Sequence, residues 1–170
     1  MDRRYPYIGP AELLDRVRPG RPGREITSAD DLAAWLAERP ADERDEPFTF
    51  VIDTGGALRL APRRSEHVAC AAGGPVLSAG EIEFARDGGR WSVCEVGNQS
   101  TGYCPDVTSW PAVAAALDRA GLEHPGGFTR PIVFRRCPRC GQHNIVKDDH
   151  FACAACAAAL PAAWNLGPTG

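Results

Sequence analysis

Two cysteine doublets constrain this chain more than any other feature. They are Cys137-Pro-Arg-Cys140 and Cys153-Ala-Ala-Cys156, with residues 141–152 between them. A Cys-x-x-Cys spacing brings two sulfurs to one side of a tight turn. Two such turns facing each other supply four soft ligands in a tetrahedron, the arrangement that Zn²⁺ accepts. Four protein sulfurs leave no coordination position for water or substrate, so the spacing predicts a structural rather than a catalytic metal. The same four sulfurs suit iron in a rubredoxin-like site. Zinc is the reading adopted here.

The arrangement resembles a zinc ribbon. Its first doublet is followed directly by Gly141, as in that family, whereas Ala157 stands where the second doublet ordinarily has Gly. The resemblance implies a β hairpin between the doublets. Asp148-Asp149 is its expected turn, with Ile145-Val146 on one arm and Phe151 on the other. His143 and His150 fall inside this segment and read as surface histidines, because four cysteines already fill the shell.

The chain has 170 residues and seven cysteines, 44% of it is apolar, and its formal net charge is −3. An odd cysteine count beside a start that lacks a secretory pattern points to a reducing compartment, where thiols are metal ligands or inert. A cytoplasmic address is the expectation. No apolar run reaches the roughly 18 residues of a membrane span. The bases are Arg with a single Lys, Lys147, which reads as a GC-rich bacterial genome. Cys70, Cys94 and Cys104, outside the doublets, are expected to be buried and inert.

A break at His124-Pro-Gly-Gly127 divides the sequence. Residues 1–127 read as an α+β body, β-rich with two or three helices, and residues 128–170 as a four-cysteine zinc-ribbon hairpin. Within the body, residues 10–17 suit a short helix, and the Arg, Pro and Gly run at 18–24 suits a linker. Ser28 and Asp31 look like a capping pair for a helix carrying Leu32, Trp35 and Leu36 on one face. The acidic run 42–46 reads as a loop. Residues 48–53 and 57–61 suggest strands around Thr54-Gly-Gly56. Residues 76–77, 81–84 and 91–96 suggest three more, with Trp91, Val93 and Glu95 on one face of the last and Ser92, Cys94 and Val96 on the other. Ser109, Pro111 and Gly121 bound a third helix. Residues 130–136 suggest a further short β segment leading to the first doublet.

The other informative stretch is 67–105. His67 can do acid–base work with Glu81 or Tyr103. Gly73 and Gly74 permit close approach of a ligand or of another strand. Asn98, Gln99 and Ser100 form a polar loop after a strand, where binding residues concentrate. The spacing of His67, Gly73, Pro75-Val76, Ala79-Gly-Glu81, Asn98, Ser100, Tyr103 and Pro105 resembles a motif of plant IQ-motif calmodulin-binding proteins and of bacterial effector or toxin-associated domains. Val68-Ala69 and Thr101-Gly102 depart from it, and no IQ helix is present. The effector-like resemblance implies a nucleotide or ADP-ribose-type substrate.

Three functions follow. One is a binding or adaptor module for a protein or small-molecule partner, with a structural zinc. Another is an enzyme with His67, Glu81 and Tyr103 as catalytic residues and Gly73, Gly74, Asn98, Gln99 and Ser100 as ligand-binding residues. The third is a nucleic-acid-binding ribbon, since residues 124–170 carry five basic and two acidic side chains against fourteen and twenty in residues 1–123.

Overall fold

The structure, a computed structural model, describes residues 2–167. Positions 168–170 of the C-terminal segment lie outside the described residues. The fold is α+β. Among the described residues, seven strands form a five-stranded antiparallel sheet in the order β1-β3-β2-β4-β5 and a two-stranded sheet of β6 and β7. The large sheet comprises β1 (Arg24–Ile26), β2 (Phe48–Asp53), β3 (Leu58–Ala61), β4 (Val76–Asp87) and β5 (Arg90–Val96).

The central strand β2 shows why both faces are covered. Phe48, Phe50 and Ile52 alternate toward one apolar cluster, and Val51 turns toward another. The first cluster is roofed by α2 (Ala29–Ala37) and α5 (Trp110–Arg119), which bring Leu32, Trp35 and Leu36, and Val113, Ala116 and Leu117. The second is covered by the short helices α1 (Ala11–Asp15) and α4 (His67–Cys70) and by Tyr5, whose backbone pairs with Val76.

Local signals set the helix ends. Ser28 Oγ accepts the Asp31 N–H at 3.0 Å and caps α2, a contribution of about 1 kcal/mol. Gly121, at φ 68°, ends α5 in the left-handed region. Ser109 precedes α5 but does not cap it. A 3₁₀ turn (Val107–Ser109), capped by Asp106, comes first, and Ser109 Oγ meets Ser78 Oγ at 2.9 Å in the core.

Several segments differ from their sequence reading. Residues 24–26 end the expected linker as an edge strand paired with β3. The acidic run holds one helical turn, α3 (Ala41–Arg44). β4 is continuous from Val76 to Asp87, where two separate strands were expected. Gly80 permits this, because a Cβ there would collide with the Gly97 carbonyl crossing over it. Alternation fails in β5. The ladder pairs Glu83 with Glu95 and then Phe84 with Val93, so Cys94 is an extra, bulged residue. Val93 and Val96 therefore enter the same core cluster. Cys94 is exposed, unlike the buried Cys70 and Cys104.

The C-terminal segment also pairs differently. β6 (Val133–Arg136) runs antiparallel to β7 (His143–Val146), with Phe134 opposite Ile145. The Ile145-Val146 arm thus pairs with the strand before the first doublet, not with Phe151. Asp148 and Asp149 do turn the chain, at φ 52° and 54°. The segment meets the body through Asn98. Its amide donates to Pro105 O (2.9 Å) and Ile132 O (2.8 Å) and accepts the Ile132 N–H (2.7 Å).

Candidate metal centre

The two doublets fold as near-copies of one turn. Gly141 N–H donates to Cys137 O and Ala157 N–H to Cys153 O, both at 2.9 Å. Cys137 N–H donates to Gln142 O and Cys153 N–H to Ala158 O, both at 2.8 Å. The residue closing each turn has positive φ, 78° at Gly141 and 60° at Ala157. Alanine thus takes the glycine conformation in the second turn, a placement that L side chains disfavour by roughly 1–2 kcal/mol.

The turns face each other. Cys137 Sγ lies 3.6 Å from Cys156 Sγ, and Cys140 Sγ lies 3.6 Å from Cys153 Sγ. All four sulfurs fall within 4.8 Å of one another. A tetrahedron of metal–sulfur bonds near 2.3 Å has sulfur–sulfur edges of about 3.8 Å, whereas a disulfide needs about 2.05 Å. The cluster therefore has metal-site dimensions. Among the described residues it is the one grouping of His, Cys, Asp and Glu with such geometry.

Backbone N–H groups prepare Cys137 and Cys153 for negative charge, whereas the Cys140 thiol, against the N–H of Gln142, is pushed up to about 12 by burial and the neighbouring cysteine sulfurs. Cys140 N–H points at Cys137 Sγ (3.5 Å) and Ala155 N–H at Cys153 Sγ (3.4 Å). The N–H of Cys140 holds the Cys137 thiol below its ordinary range. Burial raises the Cys153 thiol, but the N–H groups of Cys156 and Ala155 and the Asn144 amide outweigh it and bring it down to about 6. A thiol lowered in this way gives up its proton to a metal more readily.

Asn144 joins the two turns, and spacing alone does not single it out. Its side chain, in β7, is buried. It donates to Cys153 Sγ at 3.5 Å and to Gln142 O at 2.9 Å, and accepts the Ala154 N–H at 2.9 Å. One side chain so ties the first turn to the second, in the manner of groups that orient metal ligands from outside the shell. The available signal was a polar residue at the inward register of a strand running between two ligand pairs. His143 and His150 are exposed and outside the cluster.

The residues singled out in 67–105 are distributed over several places. His67 Nε2 lies 2.8 Å from Gly80 O, so that nitrogen carries the proton and donates. Burial lowers the ring's affinity for a second proton, against the Gly80 carbonyl and the Glu81 and Glu66 carboxylates. Tyr103 is buried and its hydroxyl donates to Gly74 O at 2.7 Å. Gly73, at φ 82°, makes the turn before β4. Asn98 holds Ile132 and Pro105, and Ser100 is buried. Glu81 and Gln99 meet in a cleft of about 140 Å³, lined also by Glu83, Glu95 and Arg130. The β5 bulge places Glu95 opposite Glu83, and Arg130 bridges the two at 3.3 and 3.7 Å. His67 and Tyr103 do not line this cleft. Burial pushes the Cys70 and Cys104 thiols up to about 12, which keeps them protonated.

No helix among the described residues is long and apolar enough to cross a membrane. Compared with protein-family models, with curated proteins and with solved structures, the chain matches none.

Proposed function

We propose that this chain is a cytoplasmic zinc-ribbon binding module. Residues 128–170 hold one structural Zn²⁺ on Cys137, Cys140, Cys153 and Cys156, and the α+β body of residues 1–127 serves recognition of a protein or small-molecule partner. The observation that carries the reading is the closed sulfur cluster. Four thiolates at tetrahedral spacing saturate the ion, so the metal orders the chain and does no chemistry on a substrate. Recognition is favoured over catalysis because His67 and Tyr103 each spend a hydrogen bond on a backbone carbonyl of the body.

Elemental analysis of the purified full chain tests the metal. One zinc per chain is expected, lost in the double variant Cys140→Ser with Cys153→Ser. Iron with the visible absorption of a ferric tetrathiolate, or a folded chain that takes up no metal, overturns it. Turnover abolished by His67→Ala in a chain that still folds would replace the recognition role with an enzymatic one.

A further inference from the structure

Residues 160–167 leave the second cysteine turn and run back to the body without helix or strand of their own. Their order therefore rests on the groups that fasten them. At the metal end, Leu160 is buried with Cys137 and Cys153, and its N–H donates to Phe151 O at 2.9 Å. Arg135, in the strand that enters the first turn, is 7% exposed. Its guanidinium donates to Pro161 O (3.0 Å) and Ala162 O (2.6 Å). Asn165 then imitates a paired strand, accepting Arg136 N–H at 2.8 Å and donating to Arg136 O at 2.7 Å.

At the body end the same tail covers a patch of the body. Trp164 Nε1 donates to Cys104 O at 2.8 Å. The Trp164 ring meets Tyr5 edge-on at 5.3 Å, and the Arg3 guanidinium lies 4.7 Å from its centroid. Leu166 is buried with Cys104 and Phe134. The tail is thus rooted at one end in the sulfur cluster and closes at the other over Tyr5 and Cys104.

We propose that residues 160–167 are a zinc-dependent latch: the loaded cysteine cluster holds the tail across Tyr5 and Cys104, and loss of the metal releases it and uncovers that apolar patch. The inference rests on the zinc reading above. Its physical basis is that the two turns meet through their sulfurs, at 3.6 Å, and the ion that would bridge those sulfurs is what bonds one turn to the other, so without it the turns that root Leu160 and present Arg135 and Arg136 lose their organisation. The body keeps its own core, since Tyr5 is held to Val76 by backbone bonds of 2.7 and 3.0 Å.

Thiol labelling of the full chain tests this, with the chain either zinc-loaded or stripped by chelator under reductant. Modification by iodoacetamide is read residue by residue by peptide mass spectrometry. In the loaded chain Cys94 reacts while Cys70 and Cys104 do not. Stripping is expected to speed labelling of Cys104 by about tenfold or more while Cys70 stays protected, the pattern of local opening. Trp164→Ala is expected to expose Cys104 in the loaded chain with zinc content unchanged. Continued protection of Cys104 after verified zinc removal overturns the latch. So does equal exposure of Cys70, which reports unfolding of the whole body. A chain that binds no zinc at all overturns the zinc reading itself, a failure that elemental analysis separates from the other two.

Discussion

The Asn144 amide lies 3.5 Å from Cys153 Sγ while its oxygen accepts the N–H of Ala154, so a single side chain beside the first cysteine turn fixes the position of a sulfur in the second. Asn144→Ala removes a donor to the thiolate and orphans the Ala154 N–H. Groups of this kind typically contribute 10- to 100-fold to metal affinity. Competition against a chromophoric chelator should show a loss of about that size, with zinc stoichiometry still one at saturation. An unchanged affinity would assign Asn144 to packing alone.

Gly141 and Ala157 occupy equivalent positions, and the second carries a Cβ in a left-handed conformation. Ala157→Gly should stabilise the loaded chain by up to about 1 kcal/mol, because relief of the strained φ exceeds the added chain entropy of Gly. Gly141→Ala should cost about 1–2 kcal/mol by the same physics. Thermal denaturation of the two variants should therefore shift in opposite directions.

Asn98 makes three hydrogen bonds, two of them to Ile132 just before the strand that enters the first cysteine turn and one to Pro105. Asn98→Ala leaves buried backbone groups of Ile132 and Pro105 without partners, each costing about 1–3 kcal/mol. A total loss of about 3 kcal/mol is expected in urea denaturation. A ligand-binding role for Asn98 would instead appear as loss of binding at unchanged stability.

His124 gives a pH dependence of definite sign. Burial alone lowers its pKa, but the Pro125 carbonyl at 2.6 Å and the Asp118 carboxylate at 2.8 Å outweigh it, and the ring is raised above its ordinary value. A raised folded-state pKa contributes stability that is complete below the unfolded value of about 6.5 and is lost as pH rises through the folded one. His124→Gln should accordingly lower Tm more at about pH 6 than at about pH 8.5. A deficit independent of pH would leave the ring as packing against Trp110.

Gly80 sits beneath the Gly97 carbonyl, and a Cβ there would lie far inside van der Waals contact with backbone. Gly80→Ala must spread β4 from the crossing chain, at a cost of about 3 kcal/mol or more. Gly88→Ala, at a turn with nothing near its Cβ position, should lose only the smaller cost of positive φ. Equal destabilisation of the two would refute the close crossing as the reason for glycine at position 80.

What the sequence determined by itself is local. The doublet spacing specified two sulfur turns, Ser28 with Asp31 specified a helix start, and Gly121 specified a helix end, because each depends on groups a few residues apart. Even Ala157 was legible as a departure, since its neighbours name the conformation it must adopt. The tertiary structure decided everything that depends on two distant segments meeting. A bulge at Cys94, invisible to alternation, moved Val96 into the core and set Glu95 against Glu83. The crossing of Gly97 made one strand of two at Gly80. Packing buried Tyr103 and tied it and His67 to backbone carbonyls, while Glu81 and Gln99 came to line a cleft with Arg130. The same holds for the tail, whose eight residues carry no periodicity but are fixed by Arg135, Arg136 and Cys104, far back in the chain. Spacing encodes what nearby backbone geometry can satisfy, and long-range contacts are chosen only when the whole core closes.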